Sequence, residues 1–328
     1  MFWRPAYHAR QMSIPDEPGP APGSPLQALD RVLASVEAVR NGRALFLLLT
    51  TFASAGLLLA MAESSLVRDA NIAGAAQAGL AFFVAFYGGN ATGLLLMDQA
   101  RGVPLREVPD AVRDALFGAH RLLAVLGLAL LVVLAAAGVL WVLLWAARAD
   151  VLGPRAGAVL FGLTLPLAVV VVGVLLLALG AVVAPLAAPA VWSGMGVRAT
   201  LRLLQQQLRR RLVFVALLVA AATLLAAAVA ALAAGVVVGG GRVVALMAVL
   251  VTGVDLPPQQ LMAGLFGYGL RSLGAAGAPV ARSSYGQAAL VSGGVVFALA
   301  LVLPALVYLR GLCAVLLAVH PEAPADPD

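Results

Sequence analysis

The sequence predicts an all-α fold, a polytopic membrane helical bundle of about six transmembrane helices in three hairpins, each hairpin preceded by an amphipathic interfacial helix. Three observations carry this. Of 328 residues, 62% are hydrophobic and 11% charged, and the mean hydropathy is +1.01, far outside the range of a soluble domain. Several apolar runs are long enough, at about 1.5 Å per residue, to cross a hydrocarbon core of roughly 30 Å. The third observation is the stretch Gly196 to Ala222, GVRATLRLLQQQLRRRLVFVALLVAAA, a basic amphipathic helix that turns directly into a span.

Residues 1–24 carry Pro5, Pro15, Pro18, Pro20 and Pro22 with few apolar anchors and read as a disordered tail. Residues 25–320 form a single transmembrane domain, and 321–328 an acidic tail. Pro25 opens the first amphipathic helix, with Leu26, Leu29, Leu33 and Val36 in one stripe and Gln27, Asp30, Arg31, Glu37 and Arg40 elsewhere. Asn41 and Gly42 mark a bend before the first span, Ala44 to Met61. A polar turn, Glu63 to Asn71, leads into the second span, Ile72 to Met97, which contains Gln77, Tyr87, Asn90 and Thr92 and a GxxxG pair at Gly89 and Gly93. Polar groups in lipid need partners, so this face should point into the bundle. Asn90 and Thr92 are candidates for intramembrane polar packing or for a pathway, and a hydrogen bond between helices in a glycine seam is the favoured role of Asn90.

Asp98 and Arg101, three apart at the end of that span, suit an interfacial ion pair or a helix stop. Pro104 and Pro109 break the chain before a second amphipathic segment, with Val108, Val112, Leu116 and Ala119 inward and Asp110, Arg113, Asp114 and Arg121 outward. The third span is Leu122 to Trp145, anchored by Trp141 and Trp145. After a loop from Arg148 to Gly157, the fourth runs from Ala158 to about Val183, with a kink expected at Pro166 and an end at Pro185 and Pro189.

The third amphipathic helix places Val197, Leu201, Leu204, Leu208 and Leu212 on one face and spreads Arg198, Arg202, Gln205, Gln206, Arg209 and Arg210 around the rest. The fifth span runs from Leu212 to about Val236. Gly239 to Gly241 reads as a hinge or turn, Arg242 to Val254 as too short to cross, and Pro257 to Leu273 as a lid or a re-entrant element. The sixth span is Ala288 to Leu309, which Gly311 to His320 either extends or leaves along the surface. The unit of surface helix, span, turn and span thus occurs three times, a series of parallel hairpins.

All 21 basic residues are arginine, which together with the abundance of Ala, Leu, Val and Gly points to a GC-rich bacterial genome. Fifteen of the 21 fall in residues 1–43, 98–121, 188–211 and at Arg310, and six in the opposite loops. The positive-inside bias places both termini in the cytoplasm of a multi-pass bacterial inner-membrane protein. No apolar core follows Arg4 and Arg10 until about Ala44, so the first span is expected to be an uncleaved anchor.

The net charge of +6 comes from arginines that flank spans, which points to anionic headgroups as partners and away from nucleic acid. A membrane-protein partner or a second copy of the chain remains open. One cysteine, Cys313, excludes an intramolecular disulfide and reads as a buried, inert thiol. His8, His120 and His320 stand in separate segments without metal-ligand spacing. Glu63 and Asp69 flank Arg68, and Asp110 and Asp114 flank Arg113, where local charge balance is the expected role. No GxSxG, Walker A or dinucleotide fingerprint occurs, and no span carries an ionisable residue near its centre. No catalytic, cofactor or metal residue is therefore assigned.

The stretch APAVWSGMGVRATLRLLQQQLRRRLVFVALL resembles six-span bacterial inner-membrane proteins of the YciC kind and the membrane domain found ahead of glycerophosphodiester phosphodiesterases. Pro185, Pro189, Ala199, Leu201, Arg202 and Arg209 to Arg211 carry the resemblance. No catalytic soluble domain is present in the sequence, so the resemblance implies no phosphodiesterase activity and no active-site residues. The function expected is a non-enzymatic scaffold, assembly or envelope-maintenance factor, with Arg198, Arg202, Arg209, Arg210 and Arg211 as lipid or partner contacts. The alternative is a transporter or lipid-handling permease with a pathway between the hairpins, near Asn90, Thr92, Pro166 and residues 264–274.

Overall fold

The computed structural model describes residues 25–67, 69–148, 153–252 and 284–320. The expected tails at 1–24 and 321–328, and the lid or re-entrant segment with its glycines at 264–274, lie outside these residues. Helix α1 (Pro25–Leu33) passes into a 3-10 helix (Ala34–Arg40), followed by α2 (Gly42–Val67), α3 (Asn71–Arg101), α4 (Val108–Gly118) and α5 (His120–Ala146). Then come α6 (Pro154–Ala178), a π turn (Leu179–Val183), α7 (Ala184–Trp192), α8 (Val197–Arg210), α9 (Leu212–Thr252) and α10 (Ser284–Val319). Six of these stretches are long and apolar enough to cross a membrane. The fold is an all-α polytopic bundle.

Two pairs pack along much of their length, α2 with α3 and α9 with α10. Helix α10 is central, touching α1, the 3-10 helix, α2, α3, α7 and α9. Its stretch Gly311 to Leu316 is buried throughout. A Cβ at Gly311 would meet Ala222 Cβ at 3.0 Å and Ser35 Oγ at 3.6 Å, so glycine sets how closely α10 approaches α9 and the 3-10 helix. The pair α5 and α6 behaves differently. Only 11% of the third span and 17% of the fourth are buried, leaving each with one narrow seam and an otherwise lipid-ready apolar circumference.

The first amphipathic helix is rotated from the sequence expectation by about one residue, whereas the other two keep most of their expected inward face. In α1 and its 3-10 extension the buried face is Ala28, Val32, Ser35 and Ala38, whereas Leu26 is 72% and Leu33 51% exposed. In α4, Ala111 and Ala115 are buried, Val108 and Val112 pack against the core and Ala119 is buried as expected, while Leu116, expected inward, and Phe117 are exposed. In α8 the centre of the buried face is Thr200, Leu203, Leu204 and Gln207, with Val197, Leu201 and Leu208 half-buried. An interfacial helix has two apolar neighbours, protein and lipid. In α1 and α4 small residues let the backbone approach the bundle, and large apolar side chains are left for the acyl boundary, whereas α8 buries Leu203 and Leu204 in the bundle.

Three further expectations change. The fourth span does not stop at Pro185 and Pro189 but continues as helix to Trp192. The π turn makes this possible: Ala184 N–H reaches Leu179 O, and the next residue, Pro185, has no N–H to place. Gly239 to Gly241 form no hinge, because α9 runs through them for 41 residues. In an apolar surrounding the helix is the one local structure that satisfies its own backbone, which outweighs glycine's cost of about 1 kcal/mol per residue. Residues 311–319 extend the sixth helix, whose apolar window is Ala300–Val319. Arg310 therefore lies near the middle of an apolar window rather than at its edge, which overturns the expectation that no span carries an ionisable residue near its centre.

Candidate functional site

The polar chemistry of the described residues gathers at one end of the bundle, where α1, α4 and α8 meet the ends of the spans, and much of it converges on the last third of α3. Two glycines let neighbours reach that helix. A Cβ at Gly88 would fall on Thr51 of α2, and one at Gly93 would fall on the indole of Trp192, at the end of α7. Gly89 of the expected GxxxG pair has nothing within 4 Å, so the seam is built on Gly88 and Gly93. Trp192 Nε1 donates to Asn90 Oδ1 at 2.9 Å, and Asn90 Nδ2 donates to Phe86 O at 2.8 Å. Thr92 Oγ1 donates to Gly88 O at 2.9 Å. Both candidate polar residues of the second span are thus buried and hydrogen-bonded within the protein.

Beyond them α3 ends at Gly102, whose φ of +70° is accessible to glycine. Val103 N–H returns to Asp98 O at 3.2 Å, reversing the chain. This reversal brings Arg106 back over the helix it has just left. Arg106 Nε and Nη2 donate to Asp98 Oδ2 and Oδ1 at 2.6 and 2.8 Å, and Nη1 donates to Asp114 Oδ2 at 2.8 Å. Asp98 pairs with Arg106, then, rather than with Arg101 three residues away. The fork needs both carboxylate oxygens in its plane, which the returning loop supplies. Arg101 Nη2 instead donates to the carbonyl of Ser193, the C-cap of α7, at 3.0 Å. The hydrogen bonds to Asp98 raise the pKa of the Arg106 guanidinium above its ordinary value, against the lowering effect of burial, and the charges of Asp98 and Asp114 add to the rise.

Asn41, read from sequence as a bend, caps α2 by accepting Ala44 N–H at 3.1 Å. Its Nδ2 donates to Gln99 Oε1 at 3.1 Å, and Gln99 Nε2 donates to Glu37 O at 3.3 Å. Arg43 Nη1 donates to the carbonyls of Leu105 and Arg106 at 2.8 and 3.0 Å. The 3-10 helix, α2, the α3–α4 loop, α4 and α7 are all fastened to α3 in this way. Arg310 is half-buried, and its Nε has no hydrogen-bond partner among the described residues.

The basic helix α8 keeps Arg198, Arg202, Arg209 and Arg210 exposed. At Arg211, also exposed, the backbone leaves helical geometry (φ −140°, ψ 25°). Its N–H still bonds Gln207 O, and its carbonyl accepts Val215 N–H, both at 2.9 Å. Arg211 is therefore the joint at which the surface helix becomes span. Gln207 is buried behind it, with Nε2 donating to Val319 O at 3.4 Å.

No protein-family model, curated protein or solved structure matches this chain. Function must be argued from the geometry alone. Among the described residues no three His, Cys, Asp or Glu side chains gather as a metal site. Cys313 is fully buried, and His120, at the start of α5, and His320, just beyond the end of α10, are both exposed.

The sequence reasoning missed Arg106, Trp192, Ser193 and Gln207. Trp192 had a legible signal, since an indole N–H in an apolar, proline-rich helix end needs an acceptor. For the others, only the folded chain shows which loop returns to which helix.

Proposed function

We propose that the chain is a non-enzymatic scaffold, assembly or envelope-maintenance factor of a bacterial inner membrane, with both termini cytoplasmic. Its three amphipathic helices form a platform on that leaflet. The observation that carries this is the way those helices set their faces. In α1 and α4 small residues are set against the bundle and large apolar side chains turn outward, while Arg31, Arg113, Arg198, Arg202, Arg209, Arg210 and Arg211 stay exposed at the same end. Such a surface meets acyl chains with its leucines and anionic headgroups with its arginines. The hydrogen bonds converging on α3 hold the platform rigid against the spans, as a docking surface requires. The long apolar flanks of the third and fourth spans leave room for a membrane-protein partner or a second copy.

The test is purification of the full chain in mild detergent, comparing the wild type with the combined variant Arg209→Gln, Arg210→Gln and Arg211→Gln. The variant should insert normally and lose its co-purifying partner or anionic lipid. Unchanged insertion together with unchanged association would refute the role of this cluster.

A permease remains the second reading, favoured by one feature: a cleft of about 320 Å³ bounded by Asn90, Arg101, Arg106 and Trp192 at the same end. Transfer of a fluorescent phospholipid between leaflets of proteoliposomes separates the two. The scaffold gives the rate of empty vesicles, and a permease exceeds it.

A further inference from the structure

A second cleft lies where α1, α8, the start of α9 and the end of α10 meet. Its volume is about 330 Å³, and Arg31, Arg210, Arg211, Gln206 and Phe214 are among its walls. Two of the arginines adjoin each other at the joint between α8 and α9, and the third comes from a helix nearly 180 positions away in sequence. Among the described residues no carboxylate lines the cleft, and none of the three arginines has a carboxylate partner. All three are exposed, and three guanidinium groups around one space offer forked donors to a shared anion.

Gln207 supplies a second, independent observation. It lines the same cleft and is 4% exposed. Its Nε2 is committed to the Val319 carbonyl. Reversing the amide would set two acceptors against each other, so Oε1 is the free end. That Oε1 is buried and has no hydrogen-bond partner among the described residues. A buried acceptor without a donor is costly, and a turn of the Gln207 side chain toward the cleft would let a ligand hydroxyl satisfy it.

We infer that this cleft is a binding site for a phosphodiester that carries a hydroxyl group, namely the headgroup of an anionic glycerophospholipid. The guanidinium groups of Arg31, Arg210 and Arg211 hold the phosphate oxygens, for which their forked donors are suited. Gln207 Oε1 accepts from the headgroup hydroxyl. Phe214 and Val319, at the level where the surface helix becomes span, form the apolar side next to the acyl chains. The volume matches a headgroup rather than a whole lipid. The site deepens the platform reading and rests on it, since it gives one leaflet lipid a defined seat.

The test is native mass spectrometry of the full chain in mild detergent, titrated with phosphatidylglycerol, with phosphatidylcholine, and with soluble glycerol phosphate. Two variants separate a site from diffuse attraction. Arg31→Gln changes the cleft and leaves α8 intact. Arg198→Gln with Arg202→Gln removes two charges from α8 outside the cleft. The wild type should retain one phosphatidylglycerol at least tenfold more tightly than phosphatidylcholine. Arg31→Gln should lose most of that preference at an unchanged melting temperature, and the double variant should keep it. Equal loss in both variants overturns the site and leaves the platform standing on diffuse charge. Absence of any anionic preference in the wild type overturns both. Glycerol phosphate binding as tightly as the lipid overturns the assignment to a membrane headgroup.

Discussion

The indole N–H of Trp192 donates to Asn90 Oδ1 across 2.9 Å, and the same ring lies over Gly93 one helical turn further along α3. This pairing joins the end of α7 to the second span, linking residues 102 positions apart. Replacing Trp192 by phenylalanine keeps an aromatic ring but leaves Asn90 Oδ1 without its donor. Interhelical hydrogen bonds in membrane proteins are worth about 0.6 kcal/mol on average and up to about 1.7. The Trp192→Phe protein should therefore unfold at slightly lower temperature in detergent, and Asn90→Ala should add little to it in a double-mutant cycle. Additive losses would show that the two side chains do not interact.

The glycine seam makes a paired prediction. At Gly93 a methyl group would meet a rigid buried ring, so Gly93→Ala should destabilise by about 1–3 kcal/mol. At Gly89 nothing lies within 4 Å, and the alanine variant should be neutral or more stable by up to about 1 kcal/mol. Thermal unfolding of the two proteins side by side distinguishes this seam from the GxxxG spacing, in which the variants would behave alike.

Asp98 and Asp114 share Arg106 but differ in exposure, their side chains being 5% and 55% accessible. Asp98→Asn should cost about 3 kcal/mol, because it removes the charge from a buried forked pair. Asp114→Asn should cost less than about 1 kcal/mol. The raised pKa of Arg106 means that its contribution is present below the ordinary arginine value and is lost only as pH rises through the raised one. The guanidinium therefore adds no pH dependence between about pH 5 and 10. Chemical denaturation of both variants at two pH values in that window checks the order and the flatness.

Cys313 reports on the core. It is fully buried in the most enclosed part of α10, so a maleimide should not label the folded protein in mild detergent and should label one thiol per chain in denaturant. Rapid labelling of the native protein would mean that α10 is not the central helix.

The fold class and the presence of six apolar helices long enough to cross a membrane were legible because hydropathy and periodicity report directly on burial in lipid. Where the first surface helix puts its faces was not. Hydrophobic periodicity singles out Leu26, Leu29, Leu33 and Val36, but it cannot separate a side chain buried in protein from one buried in lipid. The close approach of α10 to the 3-10 helix at Ser35 decides that instead. The run through Pro185 was hidden for a similar reason, since a π turn has no local sequence signature. The site residues Asn90 and Thr92 were found as polar groups needing partners. Trp192 as the partner of Asn90, and Arg106 as the partner of Asp98, depend on which loops return to α3.

The platform itself is tested most directly by spin labels on single cysteines introduced at Leu26, Leu33, Leu116 and Phe117 in a Cys313→Ala background, with the protein in bilayer nanodiscs containing anionic lipid. Collision with molecular oxygen, which concentrates in the acyl region, should exceed collision with a water-soluble nickel chelate at all four positions. Greater access to the nickel chelate at these positions would contradict the account, placing the large apolar faces of α1 and α4 in water and the helices off the membrane.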